Sequence, residues 1–563
     1  MDAFSRLRHE HYLNHGTLDG SYQELFLALL GPDGGDVVAD ATPELLPLLR
    51  EPGAGDDPQG HGLQPRGRGM QDSGRGMQLF QTMFYGDPMF SGLGSGGGLG
   101  TLVREVGNAL AAGPYDIHVT TLVGRDINGE QRTVQAREQA GPGHTIWRLD
   151  YAGNGHNDAF RSDEATLRGM LCGALQAERE TSPLAAVVHT RYIDGASFAA
   201  AGAALQNDCA LVATVTPDPH RTLCDPSGEF IPRTPVEAAT LVYRIKIGDA
   251  LVRRADAMVG IGRSAVEQQL LPYFPQLENV GKRSVVGIDE GVQFIDKLPA
   301  DIDPWSILDA AVAGTPSGRG RVSGERRRLP VLLCVGRLHP AKAQPALLQA
   351  WLESGLYHRY NLVLVGGDLR TPNPTETAML EDLERVLEAA PTEARAGYLH
   401  VGALANNEVR LLETAFAQQS SQSAFQSTPH VYVCPSPKEE FGLSILEAMA
   451  AGLPVCAPLR GGAPSYIRHG SNGLLMDTSS TTALTAELGA LLHPDSPVGA
   501  RLHHMAAAGR ETVRKRYSLE GPAAELAAVY EAALAHKHIE QSRPAAGRPT
   551  QPGNTIPRGS TAS

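Results

Sequence analysis

Two stretches of this chain, 77–295 and 330–492, alternate short apolar runs with longer amphipathic ones, and this rhythm restricts the fold more than any other feature. In the first, QLFQTMF, DIHVTTLV, AAVVHT, ALVATVT and AMVGIG are expected strands, separated by helical stretches such as 100–112 and 236–254. In the second, PVLLCVG, NLVLVGG, YLHVG, HVYVCPS and LPVCAP are expected strands, with helices at 346–356, 377–389, 408–418 and 442–451. Strands this apolar are buried on both faces, the habit of parallel sheets built from βαβ units. The expected fold class is therefore α/β, with two Rossmann-like, doubly wound parallel-sheet domains facing a cleft. Ligands are expected at the carboxyl ends of the strands.

The flanking segments differ in composition. Residues 1–76 read as an N-terminal extension, with short helices at 22–30 and 43–49 and a Gly, Pro, Asp and Gln stretch expected to be disordered. The expected boundaries continue as an N-terminal domain at 77–300, an Arg-rich linker at 301–329 and a C-terminal domain at 330–518. A final helix at 519–541 is expected to return to the first domain, followed by a disordered tail at 542–563.

Several classes of function are excluded by bulk properties. No run of about 18 uncharged apolar residues is present to span a bilayer. Lys plus Arg number 49 against 62 Asp plus Glu, a net charge of −13 that repels nucleic acid and anionic lipid. The six cysteines form no C-x-x-C pair and sit mostly in apolar runs, as reduced core thiols do. The opening MDAFSRLRHEHYLNHG lacks the apolar stretch of a signal peptide, so a cytoplasmic location is expected. His11 and His15 stand one helical turn apart without a third ligand, Asp301 and Asp303 form a D-x-D outside any strand end, and no metal site is expected.

The chemistry concentrates in PSPKEEFGLSILEAMAAGLPVCAPLRGGAP, residues 435–464. A strand ends in a loop carrying Glu439 and Glu440, and Gly442 then opens a helix that holds Glu447. A helix start above a strand end offers free N–H groups and a positive dipole end, which together seat a phosphate. Glu439 in the loop and Glu447 in the helix can reach hydroxyls of one extended ligand, although two glutamates on a solvated helix start have the same letters. Earlier, VGRLHPAKAQP delivers Arg337 and Lys342 to another strand-end loop. A planar guanidinium and a compact ammonium suit a diphosphate, and equally an unoccupied surface loop.

Taken together, G-R-L-x-P-x-K, E-E-F-G-L-S-I-L-E, AGLPV and GG-x-P resemble the retaining GT-B glycosyltransferases of family 4, of the sucrose-phosphate synthase and mycothiol glycosyltransferase type. The resemblance covers residues 77–535 and is most specific over 330–480. It implies a hexosyl-type enzyme that moves sugar from a nucleotide-diphosphate sugar, UDP- or GDP-linked, to a small soluble acceptor with retention. It further implies no cofactor or metal. By position, Arg337 and Lys342 would grip the diphosphate, Glu439 the sugar hydroxyls and Glu447 the ribose. Phe441, Gly442, Leu443 and Ser444 would lie against the distal phosphate and sugar, and Gly402 to Asn406 near the base. A place in specialised-metabolite, small-thiol or sugar-phosphate biosynthesis, as a monomer or homodimer, is the matching expectation. The rivals are a GT-B-shaped nucleotide-sugar epimerase or hydrolase, which needs no acceptor, and a non-catalytic nucleotide-sugar binder.

In the first block, SGLGSGGGLGTLVREVG contains G-x-G-x-x-G at Gly92, Gly94 and Gly97, but no acidic ribose partner is convincingly placed about 20 residues on. The resemblance instead makes Gly97 and Gly98 the pair that lets a loop approach donor and acceptor, while a plain flexible glycine loop has the same letters. His189, Arg191, Tyr192 and Asp194, with Arg263 further on, are expected on the acceptor side, with a buried structural role the competing reading for His189. His220, following Asp218 and Pro219 in a turn, is expected at the cleft as a catalytic residue together with Arg337, Lys342 and Glu439.

Overall fold

A computed structural model describes residues 2–15, 17–18, 20–30, 76–84, 86–90, 97–124, 135–151, 164–215, 219–225, 227–279, 283–294, 302–314, 319–421 and 428–542. The helix expected at 43–49, Gly92, Gly94, Asp218, Asp301 and the tail from 543 lie outside these residues.

The first sheet comprises β1 (Met77–Met83), β2 (Ile117–Gly124), β3 (Arg137–Gly141), β4 (His144–Leu149), β5 (Ala185–Thr190), β6 (Ala210–Thr214), β7 (Ala257–Ile261) and β8 (Ser284–Ile288). Their order is β3-β4-β2-β1-β5-β6-β7-β8, parallel except for β3 against β4. The second comprises β9 (Arg319–Gly320), β10 (Val331–Val335), β11 (Asn361–Val365), β12 (Tyr398–His400), β13 (Val431–Val433), β14 (Val455–Pro458) and β15 (Leu474–Met476). Its order is β15-β14-β13-β10-β11-β12-β9, with only β9 antiparallel. Winding reverses at β1 in one sheet and at β10 in the other. The chain therefore leaves β10 and β13 in opposite directions, opening a crevice above their carboxyl ends.

Helices cover both faces of each sheet. The N-terminal part contributes α1 (Ala3–His15), α2 (Ser21–Leu30), α3 (Gly97–Ala112), α4 (Glu164–Thr181), α5 (Gly195–Gln206) and α6 (Pro235–Arg254). Then follow α7 (Pro304–Gly314), α8 (Gln344–Glu353), α9 (Pro374–Glu388), α10 (Asn406–Ser420), α11 (Leu443–Ala451), α12 (Thr481–Leu491), α13 (Leu502–Arg516) and α14 (Glu520–Ser542). One face of the first sheet buries Leu167, Leu171, Phe198 and Leu251 of α4, α5 and α6. The other buries Leu102 and Val106 of α3 with Leu526 and Tyr530 of α14, so the last helix belongs to the first sheet's core. No described helix is long and apolar enough to cross a membrane.

Two segments depart from the composition-based reading. The expected linker 301–329 supplies α7, whose Trp305 and Leu308 enter the second core, and β9, which pairs with β12. Its arginines look like a solvated run, yet Arg326 is buried, donating to Asn361 Oδ1 at 3.1 Å and to the Tyr357 carbonyl at 2.5 Å. At the other end, α1 and α2 fold onto α6. Arg8, only 1 % exposed, forms a two-pronged pair with the fully buried Asp249, which also accepts from Tyr22 and Gln276. A cation and carboxylate so far from water are held by this full set of partners.

Candidate active site

The crevice above β10 and β13 brings the two predicted donor-binding loops together. Backbone glycines make the approach possible. Gly442 sits in the left-handed region (φ +89°) at the start of α11, where the Tyr466 hydroxyl donates to the Phe441 carbonyl at 2.7 Å. Gly461 (φ +98°) and Gly462 run against the glutamate loop: Gly462 N–H donates to the Glu439 carbonyl at 2.8 Å, and a side chain at 461 would overlap that carbonyl. This is the physical reason for GG before A-P in the sequence.

Lys342 Nζ lies 2.5 Å from Oε1 of the buried Glu439. The same oxygen accepts from Ser436 Oγ at 2.6 Å and faces Cys434 Sγ at 3.6 Å. Burial, then the charge of Glu439, pushes the Cys434 thiol up to about 12, so it stays an S–H. Arg337 is exposed on the β10 loop, and its guanidinium makes no ion pair among the described residues. Beside it, burial first and then Arg337 and Lys342 hold the His339 imidazole below its ordinary range, and its Nδ1 accepts the Ala341 N–H at 3.2 Å. The two loops thus bring an unpaired guanidinium, a neutralised ammonium and the start of α11 to one space.

Glu447 is half-buried on α11 and accepts from Asn406 Nδ2 at 3.1 Å, joining it to the loop of Gly402, itself at φ +79°. Around it stand groups that the motif reading did not identify. Glu105 of α3 has its carboxyl pushed up to about 7 by burial and then by the charge of Glu447. Glu413 of α10 is buried and pushed well above the carboxylate range by burial, with Arg410 opposing and Glu447 adding. Arg410 Nη2 meanwhile donates to the Gln293 carbonyl at 2.7 Å. Their signal was absent from sequence because the elements meet only in the folded chain. Phe441 is buried, Leu443 and Ser444 half-buried, and a Cβ on Gly98 would touch Leu443 at 3.5 Å, so Gly98 near the start of α3 faces α11.

On the acceptor side the structure corrects several roles. His189 is fully buried with both ring nitrogens occupied, Nδ1 2.9 Å from the Tyr530 hydroxyl and Nε2 2.8 Å from Thr214 Oγ1, and burial keeps it neutral. It ties α14 to β5 and β6 rather than lining a binding surface. Asp194 is the N-cap of α5, accepting the Ser197 N–H at 2.7 Å. Arg263 is spent on Asp289 at 3.3 Å and on Glu525 of α14. His220 lies in the core among Phe4, Tyr273 and Phe274, its ring 4.7 Å from that of Phe274, because α1 closes over the turn that was expected to hold it at the cleft. Arg191 remains, with Tyr192 half-buried beside it. Its Nε and Nη2 are buried without a hydrogen-bond partner among the described residues, in a cavity shared with Thr214, Asp289, Glu290, Leu102 and Pro522. Glu290 nearby has its carboxyl pushed up to about 7 by burial, with Arg191 opposing and Glu440 of the donor loop adding. A desolvated guanidinium with open donors is a seat for an oxyanion. Among the described residues no cluster of three or more His, Cys, Asp or Glu can hold a metal ion; His11 and His15 stack on each other near Glu24.

Residues 321–512 match the family described as glycosyl transferases group 1. The chain is 28 % identical over 277 residues to a D-inositol 3-phosphate glycosyltransferase of Mycolicibacterium paratuberculosis, covering 46 % of this chain and 58 % of that protein. It is 32 % identical over 174 residues to a probable sucrose-phosphate synthase of Oryza sativa subsp. japonica, covering 29 % of this chain and 15 % of that one. The chain thus spans less than two thirds of either relative. Among solved structures, the sucrose-phosphate synthase of Thermosynechococcus elongatus is similar at a TM-score of 0.57 and 20 % identity, over 82 % of this chain and 99 % of that one. The catalytic domain of starch synthase IV from Arabidopsis thaliana gives 0.53 at 15 % identity, over 82 % and 100 %. The fold is the GT-B arrangement of two Rossmann-like domains.

Proposed function

We propose that this protein is a retaining glycosyltransferase that moves a hexosyl group from a nucleotide-diphosphate sugar to a small soluble acceptor. The observation that carries the proposal is the meeting of exposed Arg337, the Lys342–Glu439 pair and the Gly442 helix start above β10 and β13, within the segment of family similarity. As the bond from the anomeric carbon to the diphosphate oxygen breaks, negative charge collects on the leaving group. Arg337, Lys342 and the N–H groups of α11 stabilise it there. Glu439 orients the sugar through its hydroxyls. The acceptor hydroxyl attacks from the same face, forming the new C–O bond while its proton passes to an oxygen of the departing phosphate. Glu447, fixed by Asn406, takes the ribose. Arg191 anchors the acceptor. Similarity to an inositol-phosphate glycosyltransferase and a sucrose-phosphate synthase supports a polyhydroxylated acceptor of that size.

The test is calorimetric titration with UDP, GDP and ADP, then turnover of the matching nucleotide sugars, with Arg337→Ala and Glu439→Ala beside the wild type. Micromolar binding of one nucleotide, abolished by Arg337→Ala, and sugar release lost in both variants are expected. No nucleotide binding, or binding indifferent to Arg337, refutes the proposal. Full turnover by epimerisation without any acceptor would replace transfer with the epimerase reading.

A further inference from the structure

We infer that Ser436 is a positioning residue that divides the two oxygens of Glu439 between the phosphate side and the sugar side of the site. The inference rests on the nucleotide-sugar reading above and adds a residue that the motif did not include.

Three donors converge on one oxygen. Glu439 Oε1 takes Lys342 Nζ at 2.5 Å and Ser436 Oγ at 2.6 Å, and faces Cys434 Sγ at 3.6 Å. A carboxylate oxygen has two lone pairs, so two strong donors and a weak thiol saturate it. Among the described residues no protein donor reaches Oε2. The backbone of Glu439 is held by Gly462 N–H at 2.8 Å, leaving only the side-chain torsions to set the plane of the carboxylate, with one oxygen toward Lys342 and the other away from it. Ser436 fixes that plane. It is fully buried, and its own carbonyl is held by Thr478 Oγ1 at 2.7 Å, so its hydroxyl cannot follow a turning carboxylate. Lys342 alone, a flexible cation with three donors, would accept either oxygen or both. With Ser436 in place, Oε1 stays on the ammonium side, where the diphosphate binds, and Oε2 is the open acceptor for a sugar hydroxyl. A site built to accept a hydrogen bond from one hydroxyl rejects a ligand lacking it, because the buried acceptor is left unpaired.

The experiment uses the full chain and UDP-, GDP- or ADP-glucose, whichever the wild type turns over, together with donors lacking one ring hydroxyl at a time. For the wild type, losing the hydroxyl that Oε2 accepts costs about 100-fold in kcat/KM. For Ser436→Ala, kcat with the full donor falls about tenfold while affinity for the free nucleoside diphosphate stays within about threefold, since the displacement is at the sugar end alone. The decisive readout is the penalty for the deoxy donor, which shrinks to about threefold in Ser436→Ala and is partly restored in Ser436→Cys, whose thiol is a weaker donor. A Ser436→Ala enzyme that keeps the wild-type deoxy penalty overturns the inference, whatever its rate, because a merely structural serine would alter stability and not hydroxyl discrimination. If Ser436→Ala does not fold, Thr478→Val, which frees the Ser436 carbonyl without touching Glu439, is read by the same penalty. A wild type that turns over no nucleotide sugar sinks the parent reading and this inference with it. A discriminating wild type with an equally discriminating Ser436→Ala sinks this inference alone.

Discussion

Replacing Gly461 with alanine separates backbone strain from site geometry. At φ +98°, an L-residue costs about 1–2 kcal/mol by itself. The new Cβ would also overlap the Glu439 carbonyl oxygen and lie 2.7 Å from its carbonyl carbon, where ordinary contact begins at 3.4 Å. The atom met is backbone, so the loops must part by about 1.5 Å, taking Glu439 away from Lys342 and adding about 2 kcal/mol of strain. The sum, about 3–4 kcal/mol, lowers the melting temperature by about 6–16 °C in a domain of this size. A misplacement on this scale also lowers nucleotide-sugar turnover about 100-fold. Gly470→Ala is the control. Gly470 is also left-handed, at φ +72°, but nothing lies within 4 Å of its Cβ, so the substitution carries the strain without the overlap. It is expected to lose about 2–8 °C and no activity. Calorimetry and turnover of both variants decide the matter. Equal effects of the two substitutions on turnover would refute the claim that the Gly461 contact places Glu439.

Arg8→Met leaves Asp249 buried without its cation and is expected to destabilise the N-terminal part by about 3–5 kcal/mol, whereas Arg8→Met with Asp249→Leu recovers most of the loss, as denaturant titration will record. Tyr530→Phe removes the partner of His189 Nδ1 and is expected to cost about 1 kcal/mol, seen as faster proteolytic release of α14. The Glu290 carboxyl has its folded-state value raised from 4.5 to about 7, so its folded form is favoured below pH 4.5 and that contribution is lost as pH rises through 7. Wild-type stability should therefore fall by at most about 3 kcal/mol more than that of Glu290→Gln between pH 5 and 8, and parallel curves for the two would refute the assignment.

The meeting of the Arg337 and Glu439 loops was legible because their residues are written in contiguous letters. Strand, loop and helix follow one another through 431–451, and Arg337 and Lys342 sit directly after β10, so placing the strands places the cations. Strand positions followed from apolar runs buried on both faces. The short edge strand β9 was hidden because only two residues pair, and β3, with no buried residue, shows no apolar run. Ser436 was overlooked for a different reason: a serine after a strand has no property that marks it until Glu439 folds back onto it.

His189, Arg263 and His220, expected at the cleft, were misread because they draw their roles from segments hundreds of positions away. His189 is answered by Tyr530, Arg263 by Glu525 and His220 by Phe4. None of these pairings leaves a periodic trace. Each of these residues, read alone as a ligand-facing group, instead fastens α14 or α1 to the first sheet, and the groups left without protein partners are the ones free to meet a ligand. Arg191 satisfies that condition with two buried, unbonded nitrogens, and the guanidinium of Arg337 satisfies it from the other domain. Unmet bonding capacity, rather than place in a motif, is what these two cations share, and on the proposed reading Arg337 spends it on the donor and Arg191 on the acceptor.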